Sequence, residues 1–220
     1  GNAWGRLFQS VSSTAAAEWP GGRKTVTELR GLAFDADRNV RRTAWQKELE
    51  AVEKVELPLA AALNGVKGFT VSLNCRRGYD SALEKSVQQA RISQKTLDAL
   101  IGVMEDSLPV FRDYLKGKAQ LLGQDRLAFY DLFAPVGGEM STWTYAAARD
   151  FILDYFRSFS NELADFAAEA FEQGWIDAQP RSGKVGGAYC ISLPVSGETR
   201  ILCNFAGNFG DVKTIAHELG

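Results

Sequence analysis

The sequence predicts a mainly α-helical fold with one small antiparallel β-hairpin near its carboxyl end. Apolar residues recur at helical spacing over most of the chain before residue 174. A stretch with proline and paired glycines interrupts this spacing at 123–138, and two short apolar runs near the end flank a predicted turn segment at 194–198. These three observations favour several helices, a break between them, and a terminal hairpin.

The first helices are predicted from their capping residues. Thr25 and Glu28 fit a capping box, in which each side chain accepts a hydrogen bond from the other residue's backbone N–H. A longer helix is predicted over 37–66, with a bend at Pro58, because proline interrupts the backbone hydrogen bonds of a helix. We expect the charged residues of this helix, including those at 38–42, to form a solvated face.

The clearest helix is predicted between Ser93, a suitable N-cap, and Gly123, a suitable stop, although Pro109 lies inside it. One helical stripe carries its apolar side chains, which are Leu97, Leu100, Ile101, Met104, Leu108, Phe111, Leu115 and Leu122. A helix stabilises itself in a globular protein by burying such a stripe. We therefore expect the stripe to form core with neighbouring helices.

The break divides the chain into three predicted parts. Residues 1–123 form a helical amino-terminal portion, 124–138 a connecting segment, and 139–220 a second region. This second region begins with two predicted helices, 146–159 and 161–173, the latter closed by Gly174. Their aromatic residues are interpreted as packing residues; they are Phe151, Tyr155, Phe156, Phe166 and Phe171.

The hairpin is predicted from two apolar runs, 186–190 and 201–207, which are joined through 194–198. Gly186, Gly187 and Ala188 lack bulk, and Tyr189 follows them. A peptide that added to an exposed sheet edge could approach such a segment closely, whereas the residues alone favour an ordinary tight turn into a strand.

Composition excludes little but favours no polyanionic partner. The 220 residues carry 25 basic and 27 acidic side chains, for a formal net charge of -2, so neither nucleic acid nor an anionic membrane is expected as a partner. No apolar run reaches the length of a membrane span. Cys75, Cys190 and Cys203 are odd in number and widely spaced, which indicates reduced thiols and a cytoplasmic location.

The single histidine, His217, precedes Glu218 and two further residues. These are the first four positions of the pattern H-E-x-x-H, in which two histidines about 40° apart around a helix bind one Zn²⁺ and the glutamate activates water. Asp211 is a plausible N-cap for this helix, and Val212, Ile215 and Leu219 a buried face. Taken alone, His-Glu is a common dipeptide, and the histidine is then incidental.

Several short motifs occur together in one order along the chain. They are Arg77-Gly78-Tyr79, the run 130–135, Trp175-Ile176-Asp177, Lys184 with 187–190, Asn204-Phe205, and the run 211–220. In this order the sequence resembles the oligoendopeptidase F branch of the thimet oligopeptidase-like zinc metallopeptidases. The resemblance covers most of the chain and implies an internal fragment of such an enzyme, with a thimet oligopeptidase-like helical peptidase fold.

The resemblance implies a zinc-dependent endopeptidase that hydrolyses short peptides. It assigns His217 as a zinc ligand, Glu218 as the general base, and Gly186, Gly187, Ala188 and Tyr189 as the substrate-side segment. It also implies that the second histidine, a glutamate ligand and the transition-state stabiliser follow Gly220, so the 220 residues alone are expected to be inactive. The alternative from another class is a non-catalytic helical module that binds a partner protein and in which His217 has no role.

Overall fold

The computed structural model describes residues 2–137 and 142–220. Within these residues helices dominate and the strands form small antiparallel pairs with one short parallel addition, which confirms the predicted fold class. The predicted boundary between 138 and 139 lies outside the described residues. The division into three parts therefore stays a prediction.

The chain begins with elements that the sequence pattern did not predict. Helix α1 spans Asn2–Thr14, and strands β1 (Ala16–Trp19) and β2 (Gly22–Thr25) form an antiparallel hairpin. Tertiary packing explains α1, because it lies along helix α4, where the Trp4 ring occupies the space that a side chain at residue 65 would need. Helix α2 (Val26–Gly31) follows with the predicted capping box, in which the Thr25 N–H donates to Glu28 Oε2 at 2.7 Å.

The predicted helix over 37–66 is wrong as one element. The structure has α3 (Arg38–Glu53), capped by Asp37, and α4 (Glu56–Arg76), with the break at 54–55. Pro58 lies in the first turn of α4, where its missing N–H has no intrahelical partner to lose. The proline therefore belongs to a helix start and does not bend a continuous helix.

The prediction of a solvated face at 38–42 is wrong at Arg41, which is 3% exposed, whereas the Arg38 side chain is 40% exposed. The Asp131 carboxylate is fully buried and accepts hydrogen bonds from Arg38 Nη2 at 3.0 Å and from Arg41 Nη2 at 2.9 Å. Burial alone would raise the pKa of Asp131, but the hydrogen bonds from Arg38 and Arg41 outweigh it and lower that pKa. This ion cluster holds a short 3₁₀ helix, Phe129–Asp131, against α3.

Helices α5 (Ala82–Gln89) and α6 (Gln94–Leu121) complete the amino-terminal portion. Ser93 caps α6 as predicted, since its Oγ accepts a hydrogen bond from the Thr96 N–H at 3.0 Å, and Gly123 follows the helix with φ of +65°. The prediction that the apolar stripe of α6 is core is wrong for the described residues. Most of its side chains are exposed, including Leu100 at 55% and Phe111 at 60%, because no described element covers this face.

The second region is a helix pair packed with a small sheet. Helices α7 (Tyr145–Phe159) and α8 (Asn161–Glu172) lie within a residue of their predicted bounds, and their caps are Thr144 and Ser160. Strands β3 (Ile176–Asp177), β4 (Tyr189–Leu193) and β5 (Glu198–Leu202) form a sheet in the order β3-β5-β4, and α9 (Phe209–Leu219) ends the chain.

One apolar core joins the elements of this region. Its fully buried side chains come from α7, α8, β5 and α9; they include Ile152, Ala167, Ile201, Val212 and Ile215. Phe151, Phe156 and Phe171 pack against it as predicted. Tyr155, by contrast, is 64% exposed and touches Phe151 with ring centroids 4.4 Å apart.

Candidate metal and peptide site

Helix α9 carries the predicted metal-binding residue and is fixed along one face. Val212, Ile215 and Leu219 are buried as predicted. The predicted cap is wrong, because Asn208 is the N-cap and Asp211 is the third helical residue of a capping box. Asn208 Oδ1 accepts from the Asp211 N–H at 3.1 Å, and Asp211 Oδ2 accepts from the Asn208 N–H at 3.1 Å. These two hydrogen bonds satisfy backbone N–H donors that the start of a helix leaves without a partner.

His217 and Glu218 lie on the side of α9 that is turned away from the core. His217 is exposed, and Glu218 is half-buried. Glu218 follows Thr214 and Asp211 at intervals of four and seven residues, which places all three on one helical face. Thr214 and Asp211 line a cleft described below, so this face of α9 opens into it.

The sheet next to α9 has an open edge within the described residues. Strand β4 pairs with β5 on one side only, and all five of its residues are exposed. Helix α9 contacts β4 directly. The structure thus brings a strand with unpaired backbone N–H and C=O groups beside the helix that carries His217, which is the arrangement that allows an extended peptide to pair with a sheet edge.

The predicted substrate-side residues lie at the start of this strand. Gly186 and Gly187 form a bend, Ala188 packs against the core, and Tyr189 begins β4 and is 43% exposed. The structure gives each glycine a local reason to be there, independent of any substrate. A Cβ at Gly186 would lie 2.9 Å from Thr27 Oγ1 of α2, and Gly187 has φ of +88°, which L side chains rarely adopt.

Asn204 and Lys184 hold the segment that leads into β4. Asn204 Nδ2 donates to the carbonyl oxygens of Val185 and Gly187, each at 3.0 Å. The Lys184 ammonium, whose side chain is 1% exposed, donates to Asp177 O at 2.9 Å and to Asp177 Oδ1 at 3.0 Å. Sequence spacing gave no signal for either contact, although both residues belonged to the motifs that carried the resemblance.

Asp177 is the charged partner of this segment. Hydrogen bonds from Arg181, at 2.7 Å and 2.8 Å, hold the pKa of the Asp177 carboxyl well below its usual range, and the Lys184 ammonium lowers it further.

Burial raises the pKa of the Cys203 thiol to about 11 and that of the Tyr145 phenol to about 12, so both groups are neutral near pH 7.

A cleft of about 640 Å³ lies between α2 and the second region. Residues from both sides line it, among them Glu28, Arg30, Gly187, Asn204, Asp211 and Thr214. The cleft joins the start of the edge strand to the face of α9 that bears Glu218. Its volume falls in the range of pockets that bind small organic ligands.

His217 fits zinc by its chemistry, because a neutral imidazole nitrogen is a common zinc ligand and this side chain is exposed on a rigid helix. A catalytic zinc site takes three protein ligands. Over residues 2–137 and 142–220, no group of three or more histidine, cysteine or acidic side chains is arranged to hold a metal ion. Among the described residues, His217 is the histidine that the sequence predicts as a ligand, and Glu218 is the carboxylate beside it.

Although α4 and α6 are long, no helix in the described ranges combines the length and apolar character that a bilayer crossing requires.

A family model matches most of the chain. The model of peptidase family M3 matches residues 32–142 and 156–220. The second of these ranges contains the edge strand, Asn204 and the His217-Glu218 pair. The chain belongs to peptidase family M3.

Relatives of known name are peptidases. The chain is 26% identical over 204 residues to oligopeptidase PepF of Bacillus subtilis (strain 168), a match that covers 91% of this chain and 30% of that protein. It is 25% identical over 194 residues to the chromosomal oligoendopeptidase F of Lactococcus lactis subsp. cremoris, covering 86% of this chain and 31% of that protein. The chain therefore spans about a third of the length of these relatives.

Solved structures share the fold. A structure described as an oligoendopeptidase F from Bacillus anthracis str. Ames superimposes with a TM-score of 0.88 at 18% identity, over 99% of this chain and 41% of that one. PZ peptidase A with an inhibitor superimposes with a TM-score of 0.87 at 17% identity, over 99% of this chain and 40% of that one. At these identities the similarity establishes the fold alone.

Proposed function

We propose that these residues act within a zinc-dependent endopeptidase of the relatives' length, called the parent enzyme below, which hydrolyses short peptides. The observation that carries the proposal is the position of His217 and Glu218. They lie on a helix that is buried along its opposite face and contacts strand β4, whose outer edge pairs with no other strand of the described residues. Membership of peptidase family M3 and the names of the relatives support the same activity.

In this proposal His217 holds zinc through a neutral ring nitrogen, together with ligands from elsewhere in the parent enzyme. The ion supplies a Lewis acid that polarises the scissile carbonyl and makes water a better nucleophile near neutral pH. Glu218 is not a ligand. As general base, it takes a proton from the attacking water and delivers it to the leaving amine, because its carboxylate adjoins His217 and lies on the cleft face of α9.

The edge strand positions the peptide. A substrate in extended conformation pairs its backbone with β4 beside Gly187, Ala188 and Tyr189, so that one carbonyl lies next to α9. Main-chain pairing of this kind holds peptides of varied sequence, since it does not depend on side chains. Because the edge is short, at five residues, it suits short peptides.

Chelation and reconstitution of the parent enzyme test the function. Removal of zinc with 1,10-phenanthroline is expected to abolish cleavage of a quenched-fluorescent peptide, and added Zn²⁺ is expected to restore it. His217→Ala should lose both zinc and activity, because His217 is the only histidine in these 220 residues. Full activity of zinc-free parent enzyme would contradict the proposal.

We also propose that the 220 residues alone neither hold zinc tightly nor cleave peptides. His217 supplies one of the three protein ligands that a catalytic zinc site takes, and Glu218 is the general base and not a ligand. Isothermal titration with Zn²⁺ is the test. Submicromolar binding at one ion per chain would overturn this part of the proposal without affecting the activity proposed for the parent enzyme.

The proposed location of the parent enzyme is the cytoplasm. The support is that Cys75 and Cys190 are exposed free thiols and Cys203 is a buried free thiol, which suits a reducing compartment. Detection of the protein by cell fractionation tests this location.

The alternative is a non-catalytic helical module, and the exposed apolar stripe of α6 is the observation that favours it. Such a module would bind a partner protein through α6 and would not require Glu218. A parent protein with no metal-dependent hydrolysis, whose partner binding is lost on Leu100→Asp but not on Glu218→Gln, would establish the alternative.

A further inference from the structure

We propose that Asn204 is a positioning residue that fixes the edge strand β4 relative to α9. This inference rests on the proposed function and names the side chain that sets the geometry of that site. Asn204 itself contacts neither His217 nor Glu218 in the described hydrogen bonds, and it acts through the backbone that it holds.

The carboxamide of Asn204 fixes two carbonyl groups of the segment before β4. Its Nδ2 donates to Val185 O and to Gly187 O, each at 3.0 Å. An amide NH₂ group has two donors, so both are used here. These two carbonyls lie on either side of Gly186, and the orientation of both peptide groups is therefore set by one side chain.

The loop that carries Asn204 is anchored on both sides of this residue, to β3 and to the residue that follows β3. The Cys203 N–H donates to Asp177 O at 3.0 Å, and the Phe205 N–H donates to Ala178 O at 2.8 Å. Cys203 is also 2% exposed and belongs to the core. Asn204 thus projects from a backbone that has little freedom to move.

The same loop leads directly into α9. The Ala206 N–H donates to Asp211 Oδ2 at 2.7 Å, within the first turn of the helix, and the Asn208 box closes that turn. Asn204 therefore connects two parts that come from different stretches of chain. One is the substrate-side segment at 185–188, and the other is the start of the helix that ends with His217 and Glu218.

The opposite side of the segment is held by packing and charge. A side chain at Gly186 would meet Thr27 Oγ1 of α2, so α2 lies directly against the bend. Lys184, the residue before Val185, donates hydrogen bonds from its ammonium group to Asp177 and Gln179 at 2.9–3.0 Å. With Asn204 removed, these contacts would keep the loop folded, but the carbonyls of Val185 and Gly187 would lose their fixed direction.

A small displacement of the edge strand is enough to affect hydrolysis, because a shift of about 1 Å in a bound substrate can lower its rate about 100-fold. The experiment compares wild-type parent enzyme with Asn204→Ala and Asn204→Asp. We expect kcat/KM for a peptide substrate to fall about 10- to 100-fold in Asn204→Ala, at unchanged zinc content. Asn204→Asp should lose at least as much, since a carboxylate accepts but does not donate and would face two carbonyl oxygens.

Peptide length supplies a readout that a purely structural role would not change. A long peptide makes more backbone pairs with β4 than a short one, so the rise in KM on Asn204→Ala should be larger for the long peptide. The matched control is Ser196→Ala, which removes a hydrogen bond of 3.2 Å from Ser196 Oγ to Leu193 O in the turn of the same hairpin. We expect this control to leave kcat and KM near wild type.

The outcomes separate this inference from the proposed function. If Asn204→Ala only lowers the melting temperature, while kcat and KM of the folded enzyme stay at wild-type values for both peptides, Asn204 is structural and the inference is overturned. If wild-type parent enzyme shows no zinc-dependent hydrolysis, the proposed function fails and the inference falls with it. A length-dependent loss at normal zinc content supports both.

Discussion

The second region, 142–220, and helix α6 carry similar apolar patterns but use them differently. In the second region the apolar faces of α7, α8 and α9 meet one another and the sheet, so that Ile152 and Ile215 are at most 2% exposed. Along α6 an equally regular stripe is exposed, with Phe111 at 60%. Helical periodicity thus shows which face of a helix is apolar, but the elements that cover that face are determined by the rest of the fold.

The connecting segment between these regions is held to α3 by the ion cluster of Asp131 with Arg38 and Arg41. Breaking this cluster should have the largest effect on stability. Asp131→Asn leaves Arg41, which is 3% exposed, without its counter-ion. Loss of one partner from a buried ion pair costs about 3–5 kcal/mol, so the free energy of unfolding of the 220-residue polypeptide should fall by that amount in urea denaturation.

The control is Asp113→Asn on α6, where the partner Lys116 is 74% exposed and Asp113 73% exposed. Surface pairs contribute about 0–1 kcal/mol, so this variant should be close to wild type. Equal effects of the two variants would show that the Asp131 cluster does not hold the segment.

A pair of isoleucine truncations tests the comparison directly. Ile215→Ala in the second region should lower the free energy of unfolding by about 2–5 kcal/mol, because a fully buried side chain leaves a cavity. Ile101→Ala on α6, where the side chain is 44% exposed, should change it by about 0.5 kcal/mol or less in the same polypeptide. Similar losses from both would mean that the stripe of α6 is buried in solution.

Acidification should remove a smaller contribution to stability, that of the ionised Asp177 carboxylate in the second region. The folded-state pKa of Asp177 is lowered, so its stabilisation is complete above the unfolded pKa of about 4 and is lost as the pH falls through the folded pKa. Because the carboxylate is 42% exposed, the effect should be below about 1 kcal/mol. Unfolding of wild type and Asp177→Asn, compared at pH 7 and at about pH 3, measures it.

This pH test has a clear contrary result. The difference in stability between wild type and Asp177→Asn should shrink on acidification. A difference that stays constant or grows would show that Arg181 and Lys184 do not stabilise the ionised carboxylate.

Local chemistry made parts of this fold predictable. The caps at Thr25 and Ser93 and the buried face of α9 depend on residues within a few positions of one another, and the structure has them as expected. The cap of α9 was misassigned because Asn208 and Asp211 are both good caps, three residues apart, and only the folded loop shows which one starts the helix.

Long-range contacts explain what the sequence did not predict. Arg41 was expected in solvent, but Asp131, its buried partner, lies 90 residues away. The contacts of Asn204 span 17 and 19 residues and end on backbone carbonyls, which leave no mark in the sequence pattern. The roles assigned to His217, Glu218 and the segment 186–189 stay predictions. Gly187 and Ala188 line the cleft together with Asp211 and Thr214 of α9, and Tyr189 begins the edge strand.

The most direct test of the account is the activity of Glu218→Gln in the parent enzyme. Glutamine retains the shape of the side chain but cannot accept the proton from water. The account predicts unchanged zinc content and a kcat lower by about 10²–10⁴ for a short quenched-fluorescent peptide. A Glu218→Gln enzyme that cleaves the peptide at the wild-type rate would contradict the account.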